Sequence, residues 1–552
     1  MRWKTTLKFP SKAAKISLLL ITATATGTAT VDSFPLFDSS SRAITAFSDD
    51  FRAPFFAFRR SSYTFFTIAS TIFDYKYSIY GLAKGSDEYR HTISEVHLRS
   101  AKRILKLCED NKGFYVKAGQ FASSLRQLPK EYTMTLSVLQ DKAVPCDFNL
   151  IKEVICRNLS SEITDMFLFF DEQPLAAASI AQVHRGVLKS GEEVAVKVQY
   201  PGLERLMELD ITIMSFVSHV AAWIFPEFRF GWILSMFKEA VSAELDFIQE
   251  ARNSERTAKN FRNNKKVKIP RIFWDLTTSQ VLTMQFCSGQ KVDDLEFLKK
   301  TGMDPRKVAQ ALVEVFADMV FIHGFVHGDP HPGNILVSPS GQNDFTLVLL
   351  DHGMYKELDE GFTRNYCRLW KALILRDMDE LLHTGESLGI GSYAIYLPII
   401  FTGRTINSKA GLGREISNEE RNIVKQELKA LTMDDISSFM ESLPAAFLTI
   451  LRTDGILRSI LSKLGTTQSV RILTYARSAI HGLSPIEEYE HGSTLDFFIT
   501  RIRIKYSYLQ IKCLLGVLGL LSWIEDIKQI LTKSLKRLLA TARNLYLPHA
   551  NH

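Results

Sequence analysis

The chain has 552 residues and is 46% hydrophobic, 11% aromatic and 23% charged, with 29 Gly and 17 Pro. These values lie in the globular range and exclude a disordered, collagen-like or low-complexity chain for most of the length. No period of about 20–50 residues marks a solenoid, and at roughly 100–200 residues per domain the length predicts three or four structural units.

The net charge of +7 belongs to the ends. Residues 1–31 carry Arg2, Lys4, Lys8, Lys12 and Lys15 and no acid, and residues 497–552 carry nine basic residues against Glu525 and Asp526. The body between is mildly acidic, which argues against nucleic acid as a partner, since such proteins carry a basic face on the core. Cys108, Cys146, Cys156, Cys287, Cys367 and Cys513 include no C-x-x-C pair and no Cys/His metal spacing. They read as packing residues in a reducing compartment.

In chain order, residues 1–31 have transit-peptide composition: basic, rich in Ser and Thr, without acids. The uncharged run Ile16–Val31 makes a membrane anchor the other reading, although it is shorter than the roughly 20 residues needed to span a bilayer. Leu18, Leu19 and Leu20 could also serve a secretory signal, against which the absence of paired cysteines counts. Residues 32–64, with Pro35, Pro54 and Ser39–Ser41, read as an irregular linker. From Ser86 to about Asn111 apolar residues recur at near-helical spacing, and further helices run to about residue 165. Gln182–Leu188 and Glu193–Gln199 are β-prone runs joined by Lys189-Ser190-Gly191, a hairpin signal. A helical region follows from Leu203 to about Phe261, then a strand at Val281–Phe286, a break at Cys287–Gly289 and a mostly helical half. The terminal apolar run Leu514–Ile524, flanked by basic residues, reads either as a core helix or as an interfacial helix on anionic lipid.

The chemistry concentrates in His327-Gly328-Asp329-Pro330-His331-Pro332-Gly333-Asn334, the strand Thr346–Leu350, and Asp351-His352-Gly353. An acid, an Asn five residues on and an Asp-x-Gly after a strand is the catalytic-loop arrangement of phosphotransferases. Asp329 would orient or deprotonate the nucleophile, while Asn334 and Asp351 would hold Mg²⁺ against nucleotide phosphates. Pro330 and Pro332 preclude a helical i,i+4 metal pair of His327 and His331. No role for His352 follows from sequence.

Upstream, Val194-Ala195-Val196-Lys197 carries a lysine spaced to contact α- and β-phosphates. Counting back through Val183 recovers a nucleotide-loop register in which alanines (Ala176, Ala178 and Ala181) take every glycine position. The loop Ala176, Ala177, Ala178, Ser179 therefore carries Cβ atoms that limit how closely its amides approach phosphate, which predicts slow or restricted transfer. Glu250 is the expected partner of Lys197, on a helix where Asp246 lies one turn earlier. Lys117-Ala118-Gly119-Gln120 reads on its own as the start of a surface helix, with Lys117 and Gln120 projecting together.

Taken in order, KAGQ, AAAS, VAVKV, ELDFIQEARN, HGDPHPGN and LLDHG resemble the UbiB family of atypical kinases, also called aarF domain-containing kinases, over about residues 86–370 and more loosely to about 480. The resemblance is strongest to the mitochondrial subgroup of animals and plants. It implies an α+β, atypical protein-kinase-like two-lobed fold with an N-terminal helical extension and extra helices in both lobes. The implied boundaries are 1–31 transit peptide or anchor, 32–85 variable linker and helix, 86–165 helical extension with K-x-G-Q, 166–290 N-lobe, 291–480 C-lobe and 481–552 basic amphipathic tail. It further implies ATP and Mg²⁺ as cofactors, Asp329, Lys197 and Glu250 as catalytic groups, and Ala176–Ser179, Val183 and Lys197 as nucleotide contacts. Asn334 and Asp351 would be metal ligands. Lys117 and Gln120 would close over the site and engage the E-x-D pair Glu244 and Asp246.

The implied function is ATP hydrolysis or phosphoryl transfer coupled to organellar lipid, including quinone, metabolism. The expected location is the mitochondrial membrane, or alternatively the plastid. The expected partners are an anionic lipid surface, a lipid or small-molecule substrate and proteins of lipid metabolism. Gly328 stands where protein kinases have Arg, and no A-P-E follows Asp351, so peptide substrates and a phosphate-switched activation loop are not expected. Two other readings remain open: a small-molecule phosphotransferase, because aminoglycoside and choline kinases share the catalytic-loop pattern, and a nucleotide-binding pseudokinase acting as a partner-binding module.

Overall fold

The computed structural model describes residues 52–483, except 84, 126–127, 142–144, 225–230, 342 and most of 406–432, together with isolated positions between 506 and 532. The expectations placed on residues 1–31 and on the Leu514–Ile524 run lie outside the described residues, isolated positions apart. The chain divides into two compact units, one ending at Glu255 and completed by Pro270–Cys287, the other built from Arg256–Ile269 and the chain from Ser288 on.

The first unit opens with helices α1 (Arg52–Ser78), α2 (Asp87–Asn111), α3 (Phe114–Ser124) and α4 (Lys130–Leu136). Part of the segment expected to be an irregular linker, residues 52–64, is therefore helical. Pro54 falls in the first turn, where its missing N–H removes no intrahelical bond. The linker reading failed because α1 is amphipathic in the reverse sense. Arg60, Thr64, Thr67 and Thr71 are buried along one face, while Phe58, Phe66, Phe73 and Tyr77 are exposed along another. Ser86 caps α2 by accepting from the Tyr89 N–H at 3.1 Å, and Asp87 and Glu88 complement the positive end of the helix dipole.

Next come α5 (Phe148–Leu159), the short α6 (Ile163–Met166) and a five-stranded sheet of β1 (Phe167–Phe170), β2 (Ala176–Ala177), β3 (Ala181–Leu188), β4 (Glu193–Gln199) and, later in the chain, β6. The sheet order is β1-β3-β4-β6, with β2 paired to β3. Helices α7 (Leu203–Ile224), α8 (Gly231–Glu244) and α9 (Phe247–Asn260) follow, then β5 (Val267–Lys268) of the second unit and β6 (Val281–Gln285). The period of two in β4 puts Val194, Val196 and Val198 on one face, all fully buried against Ile151, Val154 and Ile155 of α5 and Val281. Each such side chain contributes roughly 1.5–3 kcal/mol by leaving water. Lys197 is thereby forced onto the opposite face.

The second unit holds a four-stranded sheet, β5-β10-β9-β7, and a two-stranded ladder, β11-β8. Its elements are β7 (Gln290–Lys291), α10 (Leu295–Lys300), α11 (Pro305–Phe321), β8 (Phe325–His327), β9 (Ile335–Gly341), β10 (Asp344–Leu349), β11 (Tyr355–Glu357), α12 (Glu360–Leu375), α13 (Met378–Ser387), α14 (Leu397–Thr402), α15 (Met433–Ser442), α16 (Ala445–Lys463) and α17 (Gln468–Gly482). The central α11 is capped by Asp304 and started by Pro305. It buries Leu312, Phe316 and Phe321, and Phe321 meets the Tyr366, Trp370 and Tyr475 rings. Buried Asp454 pairs with both Arg458 and Arg471, and these arginines also donate to the Phe401 carbonyl, pinning α16 and α17 to the end of α14.

Candidate active site

In the first unit Lys197 lies directly across from Val183 of β3 in the antiparallel register. Its Nζ donates to both Glu250 oxygens, at 2.8 and 2.9 Å, and stands 5.1 Å from the centre of the Phe247 ring. The pair is sheltered, with Lys197 12% and Glu250 2% exposed. Glu250 is in the first turn of α9, whose start is set by Asp246: its Oδ1 accepts from the Ile248 and Gln249 N–H groups. Asp246 therefore has a local capping job, and Glu244 alone of the E-x-D pair reaches the extension. Buried Gln199 donates to the Leu245 and Ser279 carbonyls and so ties the α8–α9 junction to β4. Sequence reasoning missed Gln199; a polar side chain directly after the buried Val198 was the available signal.

Ala176 and Ala177 form β2, paired with Val183 and Gln182. The turn beyond them is closed by the Ala178 N–H to the Ala181 carbonyl at 2.8 Å, with Tyr200 donating from its hydroxyl to the Ala178 carbonyl at 3.0 Å. The alanine loop is thus a pinned hairpin tip, with Ser179 inside the turn.

In the extension Lys117 Nζ meets Glu244 Oε1 at 2.6 Å, both side chains being mostly buried. Gln120 takes a different partner: its Nε2 donates to the Leu139 carbonyl at 2.9 Å. Between them Gly119 allows close packing, since a Cβ there would stand 2.3 Å from Leu139 Cδ1 and 3.2 Å from Cys108 Sγ.

In the second unit two ladders converge on the motif residues. Antiparallel pairing of His327 with Tyr355, extended by the Gly328 N–H to the Met354 carbonyl at 2.9 Å, sets the Asp329 loop beside the turn that follows Asp351. Pairing of Ile335 with Leu349, extended by the Leu350 N–H to the Asn334 carbonyl at 2.9 Å, brings Asn334 to the same end as Asp351. Asn334 Nδ2 donates to the Asp329 carbonyl at 3.3 Å, and the Gly353 N–H closes the turn onto Asp351 Oδ1 at 3.1 Å.

His327 is fully buried, and burial pushes its imidazole below the ordinary histidine range, so it is neutral. Its Nδ1 accepts from the Asp329 N–H at 3.2 Å, which places the proton on Nε2. His352 is also buried, with Nδ1 2.9 Å from the Tyr355 hydroxyl and Nε2 3.1 Å from the Leu349 carbonyl. It braces the turn after Asp351 and lies in one stack with the Tyr355 and His327 rings. Sequence reasoning also missed Arg452 of α16, whose Nη2 is 3.4 Å from Asp329 Oδ1. No local motif announces it.

The donor set fits Mg²⁺. Asn334 spends its Nδ2 on the loop and keeps its amide oxygen, and with the Asp351 carboxylate this makes two hard oxygen donors. Among the described residues no group of three or more His, Cys, Asp or Glu is placed to hold a metal by itself.

The ABC1 atypical kinase-like domain model matches residues 138–384. AarF domain-containing protein kinase 1 of Xenopus tropicalis is 39% identical over 425 residues, covering 76% of this chain and 81% of that protein. The protein of the same name from Mus musculus is 38% identical over 448 residues, covering 80% and 84%. AarF domain-containing kinase 1 of Drosophila melanogaster is 34% identical over 459 residues, covering 81% and 88%. With its two-lobed α+β kinase-like fold, this chain belongs to the ABC1/AarF family of atypical kinases.

Proposed function

We propose that the protein is an Mg-ATP-dependent ATPase or phosphotransferase that acts on a lipid or other non-peptide substrate at a mitochondrial membrane surface. The observation that carries this reading is the assembled Lys197–Glu250 pair, the arrangement a phosphate-binding lysine needs before nucleotide arrives. Lys197 and the alanine hairpin would bind the phosphates, Asn334 and Asp351 would hold Mg²⁺, and Asp329 would orient the nucleophile. The metal would supply charge neutralisation at the transferring phosphoryl group. The Lys117–Glu244 pair, with no A-P-E in the sequence, supports a non-peptide substrate.

Two features of the first unit support a membrane surface as partner. The aromatic face of α1 is exposed, and Phe216 and Trp223 stand exposed two turns apart on α7. Met207–Ile224 is the one window among the described residues long and apolar enough to cross a membrane. Asp210 inside it is fully buried against Arg60, which supports a helix packed on α1 with its outer side on lipid. Mitochondrial location rests on the composition of residues 1–31.

The test is ATP hydrolysis by the purified protein with and without cardiolipin-containing vesicles. Vesicle-stimulated hydrolysis, lost in Asp351→Asn, is expected. Tight Mg-ATP binding without turnover in either condition overturns the reading in favour of a pseudokinase. Transfer to a soluble metabolite, unaffected by Lys117→Ala, favours a small-molecule phosphotransferase.

A further inference from the structure

Helix α16 presents Thr449, Arg452 and Thr453 on one face, three and four residues apart, to the loop that carries Asp329. The Thr453 hydroxyl donates to the His327 carbonyl at 3.1 Å. Arg452 donates through Nη1 to Met354 Sδ at 3.0 Å, and its Nη2 pairs with Asp329 Oδ1 at 3.4 Å. The ion pair is sheltered, with side chains 7% and 21% exposed. Shelter matters because exposed pairs of this kind are worth little.

Gly328 belongs to the same arrangement. A Cβ there would lie 3.0 Å from Met354 Cγ and Sδ and 3.3 Å from Thr449 Cγ2. Any side chain at 328 would therefore push against Met354, which accepts from Arg452, and against Thr449 on the same face of α16. Gly328, which takes the place of an arginine before the acid, thus lies beside the site where α16 brings Arg452 to Asp329.

We propose that Arg452 is a positioning residue that fixes the carboxylate of Asp329 for phosphoryl transfer. This rests on the reading of Asp329 given above. With Oδ1 held by the guanidinium, Oδ2 is the atom presented to the attacking hydroxyl or water. In the step served, the nucleophile's oxygen bonds to the γ-phosphorus and its proton passes to Oδ2. The bond from that phosphorus to the bridging oxygen breaks, and ADP leaves with the electron pair. Because α16 supplies the cation permanently, the loop needs no phosphorylated residue to order it. A lysine at 452 would offer a point charge without the fork that holds both Asp329 and Met354.

The experiment uses the full-length protein with Arg452→Met and Arg452→Lys, and reads two signals. The first is Mg-ATP turnover: kcat is expected to fall on the order of 10²-fold in Arg452→Met, as for a reacting group displaced by about 1 Å, while KM for ATP stays within about twofold. Arg452→Lys is expected to recover part of the loss. The second is carbodiimide labelling of Asp329, read by peptide mass, which is expected to rise severalfold in Arg452→Met. If Arg452→Met does not fold, Arg452→Lys alone carries both readouts, with smaller changes in the same directions. Unchanged Asp329 labelling, or an unchanged kcat, overturns the proposal. If the wild-type protein hydrolyses nothing, the enzymatic reading fails while the labelling still decides whether Arg452 holds Asp329.

Discussion

Arg60 and Asp210 form a bidentate ion pair, Nε to Oδ1 at 2.8 Å and Nη2 to Oδ2 at 2.6 Å, with the carboxylate fully buried. The same guanidinium donates to the Asn111 carbonyl and lies 4.8 Å above the centre of the Tyr115 ring. One side chain of α1 thus touches α7, the end of α2 and the start of α3. Removing one partner strands a buried charge, which costs about 3–5 kcal/mol, more than the pair itself contributes. Asp210→Leu is therefore expected to destabilise the protein by that order in urea unfolding, and the double variant Arg60→Met/Asp210→Leu to recover at least half. Equal destabilisation by single and double variants would refute the account.

The Lys197–Glu250 pair leads to a different kind of expectation, because the proposed function gives Lys197 a task beyond stability. Lys197→Met is expected to lower ATP turnover at least about 100-fold, with loss of charge stabilisation at the phosphates. Glu250→Gln keeps the shape and a hydrogen-bonding oxygen but releases Lys197 from its fixed position, so about 10-fold is expected. Fluorescent nucleotide titration separates binding from turnover. A Glu250→Gln variant slower than Lys197→Met would show that the glutamate acts by itself.

Two glycines distinguish a clash that can relax from one that cannot. A Cβ at Gly119 would meet the tip of the flexible Leu139 side chain, whereas at Gly482 it would lie 2.3 Å from the Phe321 carbonyl oxygen and 2.9 Å from Cys367 Sγ. Overpacking costs typically about 1–3 kcal/mol, and Ala in a helix returns about 1. Gly119→Ala is expected to be near neutral and Gly482→Ala to lose about 2 kcal/mol, because backbone cannot move aside. Thermal melts of the two variants check the order, and its reversal counts against this packing.

For His327 the sign follows from burial. Its folded-state imidazole is below the ordinary value of 6.5, so the unfolded chain binds this proton more readily, and its contribution to stability is complete above about pH 6.5 and is lost as pH falls below it. His327→Gln removes that proton-binding site. The wild type is expected to lose stability relative to His327→Gln between about pH 7 and pH 5 in parallel denaturant titrations. A constant difference across that range would show that His327 is not held neutral by burial.

The parts legible in the sequence are those where local chemistry leaves little choice. The hairpin of β3 and β4 follows from two alternating runs around Lys189-Ser190-Gly191, and the candidate catalytic loop from an acid, an amide and a second acid whose spacing survives any fold around them. Helix α1 was not legible because pattern reading assumes that apolar residues face inward, and here Arg60 and three threonines do so instead. Gln120 and Asp246 were placed by motif, but their contacts depend on where Leu139 and the α8–α9 break fall. Arg452 carries no local signal at all, since only the folded chain brings α16 to Asp329.

The contact between Thr453 and His327 spans 126 residues of sequence. At synthesis rates of about 5–20 residues per second, about 6–25 s pass between translation of the catalytic loop and translation of the helix that clasps it. A nascent chain can therefore form the two ladders that bring Asp329, Asn334 and Asp351 together before Arg452 reaches Asp329. A chain ending ahead of residue 445 would lack the Thr453 contact to His327 and the Arg452 contact to Asp329. On the proposed reading, the aim of Asp329 is thus completed only once α16 has been translated.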